Sequence, residues 1–145
     1  MPTLGTAGQS SKGPLDGVVV IDLSSVVVGP VCSLTLADHG AQVIKIESPE
    51  GDLMRQLGGG AKNPGMTGKF LNFNRNKKSI CIDLKNPSGR EVIYQLLSQA
   101  DVFVTNMRPG ALEKLGLDWP SLQAHNPRLI YCQMLAFGRG GRYFN

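Results

Sequence analysis

The chain has 145 residues, enough for one domain with its own core, and its net charge is +4. Its lysines and arginines are scattered and cluster only at Arg75 to Lys78, so we expect no nucleic-acid partner. No apolar segment approaches the roughly 20 residues that span a bilayer, and the first residues lack the apolar core of a signal peptide, so we expect no membrane segment.

The 3 cysteines each fall inside an apparent helix or strand and show no metal-ligand spacing. We therefore expect three small buried side chains and a reducing compartment, with the cytoplasm as the default location.

The stretch from Gly17 to Asp52 predicts one complete strand, helix and strand unit. Its short apolar runs are typical of strands that are buried on both faces of a parallel sheet. Proline is favourable in the first turn of a helix, and glycine can take the left-handed conformation that ends one. The predicted parts are a strand at Val18 to Ile21 ended by Asp22, a link at Ser24 to Gly29, a helix from Pro30 to Gly40, and a strand at Gln42 to Ile46.

The same kind of unit recurs later in the chain. The predicted parts are a long excursion at Glu47 to Lys69, an apolar alternation at Phe70 to Phe73, a polar turn at Asn74 to Lys78, strands at Ser79 to Leu84, Val102 to Thr105 and Arg128 to Met134, a helix from Pro87 capped by Asn86, a helix from Pro109 ending before Gly116, and a helix at Trp119 to Ala124 capped by Asp118. This alternation predicts an α/β, Rossmann-like, mostly parallel, doubly wound sheet over residues 14–145. Residues 1–13 are small and polar, which predicts a flexible tail.

The loop after the first strand should lie at the carboxyl edge of the sheet, where open α/β folds bind ligands. It contains neither the G-x-G-x-x-G pattern nor a Walker lysine. Val26 to Val28 could line an apolar slot for a planar ring, or the loop could be a buried turn without a ligand. Other strand ends carry Glu47, Lys85, Asn106 to Arg108 and Arg139. If these converge, they suit a ligand with phosphates at one end and a flat ring at the other.

The usual catalytic constellations are absent from the sequence. His39 lies in the last turn of a helix and His125 follows a surface helix, so we expect both to be structural. Neither a serine–histidine–aspartate arrangement nor a metal-binding cluster can be supported.

Three segments in order carry a family resemblance: LDGVVVIDLSSVVVGPVCSLTLADHGAQVIKIESPEGD, NFNRNKKSICIDLKNPSGRE and ADVFVTNMRPGALEKLGLDWPSLQAHNPRLIYCQMLAFG. From Pro14 to about Gly138 the chain resembles the amino-terminal part of the family III coenzyme A transferases. That group includes formyl-CoA, carnitine-CoA and succinyl-CoA transferases and α-methylacyl-CoA racemase. The resemblance implies a Rossmann-like large domain that binds coenzyme A (CoA) as its ligand and uses no metal.

The resemblance also implies a set of CoA contacts. Ser25 to Val28 would lie against the adenine and ribose, Ile82 and Lys85 beside the nucleotide, and Asn106 and Met107 near the pantetheine arm. Lys114 falls where the family often has a phosphate-binding arginine. The set is thus Ser25, Val26, Val27, Val28, Ile82, Lys85, Asn106, Met107 and Lys114. Two positions depart from the family: Ser48 replaces a frequent arginine, and Met107 replaces a frequent phenylalanine or tyrosine.

The family uses an aspartate nucleophile that the resemblance places beyond Asn145, so we expect no catalytic residue within this sequence and no turnover by this portion alone. Full members transfer CoA between an acyl-CoA and a carboxylate, and they form interlocked dimers. We therefore expect a truncated, CoA-binding portion that joins a second copy or a complementing chain. The alternatives are a non-catalytic assembly module and a fragment of an α-methylacyl-CoA racemase.

Overall fold

A computed structural model describes residues 13–59, 62–138 and 140–143, and within them it contains a sheet of five parallel strands. The strands are β1 (Val19–Leu23), β2 (Gln42–Glu47), β3 (Lys77–Cys81), β4 (Val102–Thr105) and β5 (Ile130–Gln133), in the order β3-β2-β1-β4-β5. The chain order therefore reverses between β1 and β4, which is the mark of a doubly wound sheet. The predicted tail lies outside the described residues, apart from Gly13.

Helices cover both faces of this sheet, so the predicted α/β fold is confirmed. They are α1 (Val28–Asp38), α2 (Gly68–Asn74), α3 (Pro87–Ser98), α4 (Pro109–Leu115) and α5 (Trp119–His125), with one 3₁₀ turn at Leu53–Arg55. Helix α1 packs on one face, and α3, α4 and α5 pack on the other. Among the described residues, no helix combines the length and the apolar character needed to cross a membrane.

The central strands are largely apolar because their side chains alternate between two cores. Val20 packs with Ala37 of α1, whereas its neighbour Ile21 packs with Ile93 and Leu97 of α3. All five of these side chains are buried. The near-continuous apolar runs in the sequence are the direct result of this two-sided burial.

Most helix boundaries follow the predicted chemistry. Asn86 caps α3, since its Oδ1 accepts a hydrogen bond of 3.0 Å from the Ser88 amide, and Pro87 is the first helical residue. Gly40 follows α1 with a φ of +102°, as the predicted left-handed ending requires. Pro30, however, is not the first residue of its helix, because α1 begins at Val28. A proline is tolerated at the third position too, since the first four helical amides have no partner within the helix.

Two other predictions were wrong in detail, and one segment without a predicted element is a helix. Asp22 does not end β1 but lies buried within it. Phe70 to Phe73 belong to helix α2, which Thr67 caps by accepting a hydrogen bond of 3.1 Å from the Phe70 amide. Strand β3 begins at Lys77, inside the predicted turn, and stops at Cys81, so the segment from Ile82 to Leu84 is not part of it. Asp22 and Lys77 are charged, yet both lie in the interior, where they form an ion pair of 3.0 Å.

Candidate functional site

Two adjoining cavities lie where β1, β2, β3 and β4 end. Their volumes are about 420 and 360 Å³, and both are lined by Leu23, Ile46, Ser48 and Met107. We call them together the edge groove. It lies at the carboxyl edge of the sheet beside the reversal of chain order, which is the usual ligand position in an open parallel sheet.

The larger cavity combines an apolar floor with charged flanks. Leu23, Ile46 and Ile82 form part of the floor, and the side chains of Lys85 and Lys114 stand at the wall. Such a surface can accept an apolar chain while offering ammonium groups to an anion.

Two carboxylates accompany these lysines. Asp83 Oδ1 accepts a hydrogen bond of 2.9 Å from the Lys85 amide, so this carboxylate shapes the turn that presents Lys85. A hydrogen bond from Ser48 and the nearby charge of Lys85 lower the pKa of Glu50. The groove wall is therefore mixed in charge, not uniformly basic.

The loops after β1 and β4 are joined by one side chain. Asn106 Oδ1 accepts a hydrogen bond of 3.1 Å from the Ser25 amide, and Asn106 Nδ2 donates one of 2.9 Å to the Ser25 carbonyl. Both residues line the smaller cavity. This reciprocal pair fixes the mouth of the groove at the point where the chain order reverses.

The three valines after Ser25 lie next to the groove but do not line either cavity. Val26 has a φ of +72°, a left-handed conformation that is unusual for a β-branched residue. Val27 is 37% exposed and Val28 is 64% exposed, so their side chains offer apolar surface at the start of α1.

The structure thus brings six of the nine predicted contact residues into the edge groove: Ser25, Ile82, Lys85, Asn106, Met107 and Lys114. Val26, Val27 and Val28 stay outside its lining. Of the other strand-end cations, Arg108 is exposed at the start of α4 and lines neither cavity, and Arg139 lies outside the described residues.

A buried ion pair under the smaller cavity was missed by sequence reasoning. Lys45 Nζ lies 2.9 Å from Asp52 Oδ2 and donates a hydrogen bond of 2.7 Å to the Ser24 carbonyl. Asp52 Oδ2 accepts no well-directed hydrogen bond, so the ionic contact with Lys45 is what offsets the cost of burying this oxygen. The signal in the sequence was a lysine at a core-facing position of the apolar strand β2.

A second ion pair lies beside the groove, where Glu47 lines the smaller cavity. Arg55 Nε and Nη2 each donate a hydrogen bond of 2.7 Å to Glu47, and Ser79 Oγ donates one of 2.5 Å. Burial alone would raise the pKa of Glu47, but these donors and the Asp52 amide lower it to about 2. The Arg55 guanidinium also stacks 3.6 Å from the centre of the Phe70 ring. The long excursion is therefore tied to the sheet.

A third network, of hydrogen bonds around Asp22 in β1, holds the start of α1 against the sheet. Asp22 accepts hydrogen bonds from Ser24 Oγ, from Ser33 Oγ at 2.5 Å and from Lys77 Nζ at 3.0 Å. Lys77 also donates a bond of 2.8 Å to the Pro30 carbonyl. Burial lowers the pKa of Lys77, and the charge of Asp22 opposes that change. The basic run at Arg75 to Lys78 is thus partly internal.

The histidines and cysteines of the described residues belong to no group of three or more side chains that could hold a metal ion. His39 Nδ1 lies 2.7 Å from the Thr35 carbonyl and His125 packs edge-on against Tyr94, so both support local structure. Cys32 and Cys132 are half-buried, and burial raises the pKa of the Cys32 thiol. Cys81 is exposed, so the expectation of three buried thiols was wrong.

Comparison with known proteins places this architecture in a defined class. Residues 15–145 match CoA-transferase family III. The chain is 42% identical, with a TM-score of 0.87, to a CAIB/BAIF family protein from Brucella suis, over 92% of this chain and 36% of the other. The fold of this chain is thus shared with part of a protein of known structure.

Curated relatives agree with this assignment. The chain is 44% identical to the (R)-2-hydroxy-4-methylpentanoate CoA-transferase of Clostridioides difficile, over 88% of this chain and 33% of the relative. It is 41% identical to the succinyl-CoA:glutarate CoA-transferase of Mus musculus, over 90% of this chain and 30% of the relative. The chain belongs to CoA-transferase family III and spans about a third of the length of these relatives.

Proposed function

We propose that this chain is the CoA-binding amino-terminal portion of a family III acyl-CoA:carboxylate CoA-transferase. The observation that carries the proposal is the edge groove, which combines an apolar floor with Lys85 and Lys114 at the reversal of chain order. CoA has the matching chemistry, since a long pantetheine arm joins a nucleotide that carries several phosphates.

The proposed pose follows the chemistry of the wall. The pantetheine arm would lie over Ile82 and Met107, and the phosphates would contact Lys85 and Lys114 by charge-assisted hydrogen bonds. The loop from Ser25 to Val28 would pack against the adenine and ribose, because Val27 and Val28 offer exposed apolar surface beside the groove. Asn106 would act on the ligand mainly through the loop, since both atoms of its amide already contact Ser25.

We further propose that the nucleophile of the transfer is not supplied by the described residues. Covalent catalysis would need a carboxylate that is free to attack a thioester. Six aspartates of the described residues instead hold the fold through hydrogen bonds or ion pairs: Asp22, Asp38, Asp52, Asp83, Asp101 and Asp118. The remainder of a relative-sized protein would supply the attacking group.

The experiment is direct binding of CoA to the purified 145-residue chain by calorimetry. We expect weak binding of CoA and nearly equal binding of adenosine 3′,5′-bisphosphate, because the nucleotide end makes most of the proposed contacts. The absence of heat with CoA up to millimolar concentration would overturn the binding proposal. Transfer of CoA from succinyl-CoA to a carboxylate, above a heat-killed control, would overturn the proposed lack of turnover.

A second candidate is a non-catalytic assembly module that pairs with another copy or with a complementing chain. It is favoured by β5, one of the two edge strands of the described sheet, where Ile130 is 63% exposed. Trp119, Ile130 and Tyr131 line an open cavity of about 400 Å³ beside it. One relative is named as the beta subunit of a succinyl-CoA–L-malate CoA-transferase. A clean monomer at high concentration in light scattering would argue against assembly.

The proposed cellular setting is the cytoplasm. The three cysteines are free thiols, which suits a reducing compartment. Of the family's two chemistries, transfer is favoured over racemisation because the relatives compared above are named as CoA-transferases. The proposed ligands of the complete enzyme are accordingly an acyl-CoA and a carboxylate.

A further inference from the structure

We propose that Lys45 and Asp52 are positioning residues that hold the loop from Ser24 to Val27 in the conformation presented to the edge groove. The inference rests on the function proposed above, because it assigns this pair a role in shaping the ligand site. Neither side chain needs to touch the ligand for this role.

The pair grips the loop at two backbone atoms. Lys45 Nζ donates a hydrogen bond of 2.7 Å to the Ser24 carbonyl, and Asp52 Oδ1 accepts one of 3.2 Å from the Val26 amide. The same Asp52 Oδ1 accepts a bond of 2.9 Å from the Met54 amide, which ties the carboxylate to the 3₁₀ turn. The loop is therefore clamped between β2 and the excursion that follows it.

The clamped loop contains the most unfavourable backbone conformation of its neighbourhood. Val26 has a φ of +72°, where a branched Cβ crowds the backbone. Such a conformation persists only where surrounding contacts enforce it, and it is typical of functional sites. The Val26 amide is the group that donates its hydrogen bond to Asp52, so the Lys45–Asp52 pair acts directly on the strained residue.

A role in fold stability alone explains the pair poorly. Both side chains are 1% exposed, and removing two charges from water is costly even when they are paired. Apolar side chains of similar volume often stabilise a fold as well or better than a buried ion pair. The pair lines the smaller cavity together with Ser24 and Ser25, the residues whose position it sets.

The test is the double variant Lys45→Met with Asp52→Leu in the full 145-residue chain. It removes both charges together, so neither is left buried without its partner. We expect the double variant to remain folded, while amide hydrogen exchange at Val26 becomes at least about fivefold faster, as expected for loss of a hydrogen bond. We also expect its Kd for CoA to rise at least about fivefold, because the loop is no longer preorganised.

Leu122→Ala is the matched control. Leu122 is fully buried in α5 on the opposite face of the sheet, so its truncation lowers stability without touching the loop. Its Val26 exchange should stay at the rate of the unmodified chain under conditions where both proteins are folded. If the double variant does not fold, Lys45→Met with Asp52→Ala is measured instead; it also leaves no charge buried alone and no side-chain acceptor for the Val26 amide, so the same expectation holds at Val26.

The outcomes separate this inference from the proposed function. A folded double variant whose Val26 amide exchanges at the unmodified rate would overturn the positioning role. If the unmodified chain binds no CoA, the proposed function fails, and the exchange measurement still decides whether Lys45 and Asp52 hold the loop. Equal CoA affinity in the unmodified chain and the double variant would also overturn the positioning role.

Discussion

Acid should destabilise this fold through Glu47, the last residue of β2. Its pKa falls from 4.5 to about 2 because donors from Arg55, Ser79 and the Asp52 amide outweigh the effect of burial. At about 1.4 kcal/mol for each pH unit, this difference corresponds to about 3 kcal/mol of stability at neutral pH. The folded pKa is below the unfolded one, so this stability is present above pH 4.5 and is lost as the pH falls toward about 2.

The variant Glu47→Gln tests this reasoning by removing the titration. Urea denaturation at about pH 7 and about pH 3 should show a smaller loss of unfolding free energy with acid in the variant than in the unmodified chain. Glu91→Gln, on the exposed surface of α3, is the control and should follow the unmodified chain. Parallel pH dependence in Glu47→Gln and the unmodified chain would refute the assignment of this acid sensitivity to Glu47.

Three further predictions concern the groove and the core. Lys85→Ala should weaken CoA binding by about 1 to 2 kcal/mol in calorimetry, as expected for the loss of one charge-assisted contact. Arg128→Ala, at the opposite end of the sheet, is the control and should leave CoA binding unchanged. Equal losses of affinity in the two variants would contradict a specific site. Val27→Trp should abolish CoA binding while leaving the unfolding free energy nearly unchanged, because this position is partly exposed; retained binding would remove the valine loop from the site. Ile93→Ala should lower the unfolding free energy by about 2 to 5 kcal/mol in urea titration, because its side chain is fully buried on the core-facing side of α3. A loss within experimental error would contradict its place in the core.

The sheet could be predicted from the sequence because its central strands are apolar on both faces. Val102 to Thr105 was located correctly for this reason, and Pro87 and Pro109 marked the starts of two helices. Two of the errors came from charges inside strands. Asp22 and Lys77 look like boundary residues in a linear sequence, yet they neutralise each other at 3.0 Å in the interior.

The candidate site was predictable in part for a related reason. Asn106 directly follows β4 and Lys85 follows the end of β3 by a short turn, so a parallel sheet brings both to one edge. The position of the valines depends instead on the left-handed Val26, which is held by Asp52 from a distant part of the chain. No local pattern encodes that contact, so the position of the three valines relative to the groove could not be predicted from the sequence.

The link between Ser25 and Asn106 has a consequence for how variation at position 106 should be interpreted. Asparagine offers a donor and an acceptor on one short planar group, and Ser25 uses both. Aspartate would place a carboxylate against the Ser25 carbonyl, and glutamine would push the two loops apart. A strict preference for asparagine at this position in related sequences would therefore follow from loop closure alone, and it would not by itself identify a contact with the ligand.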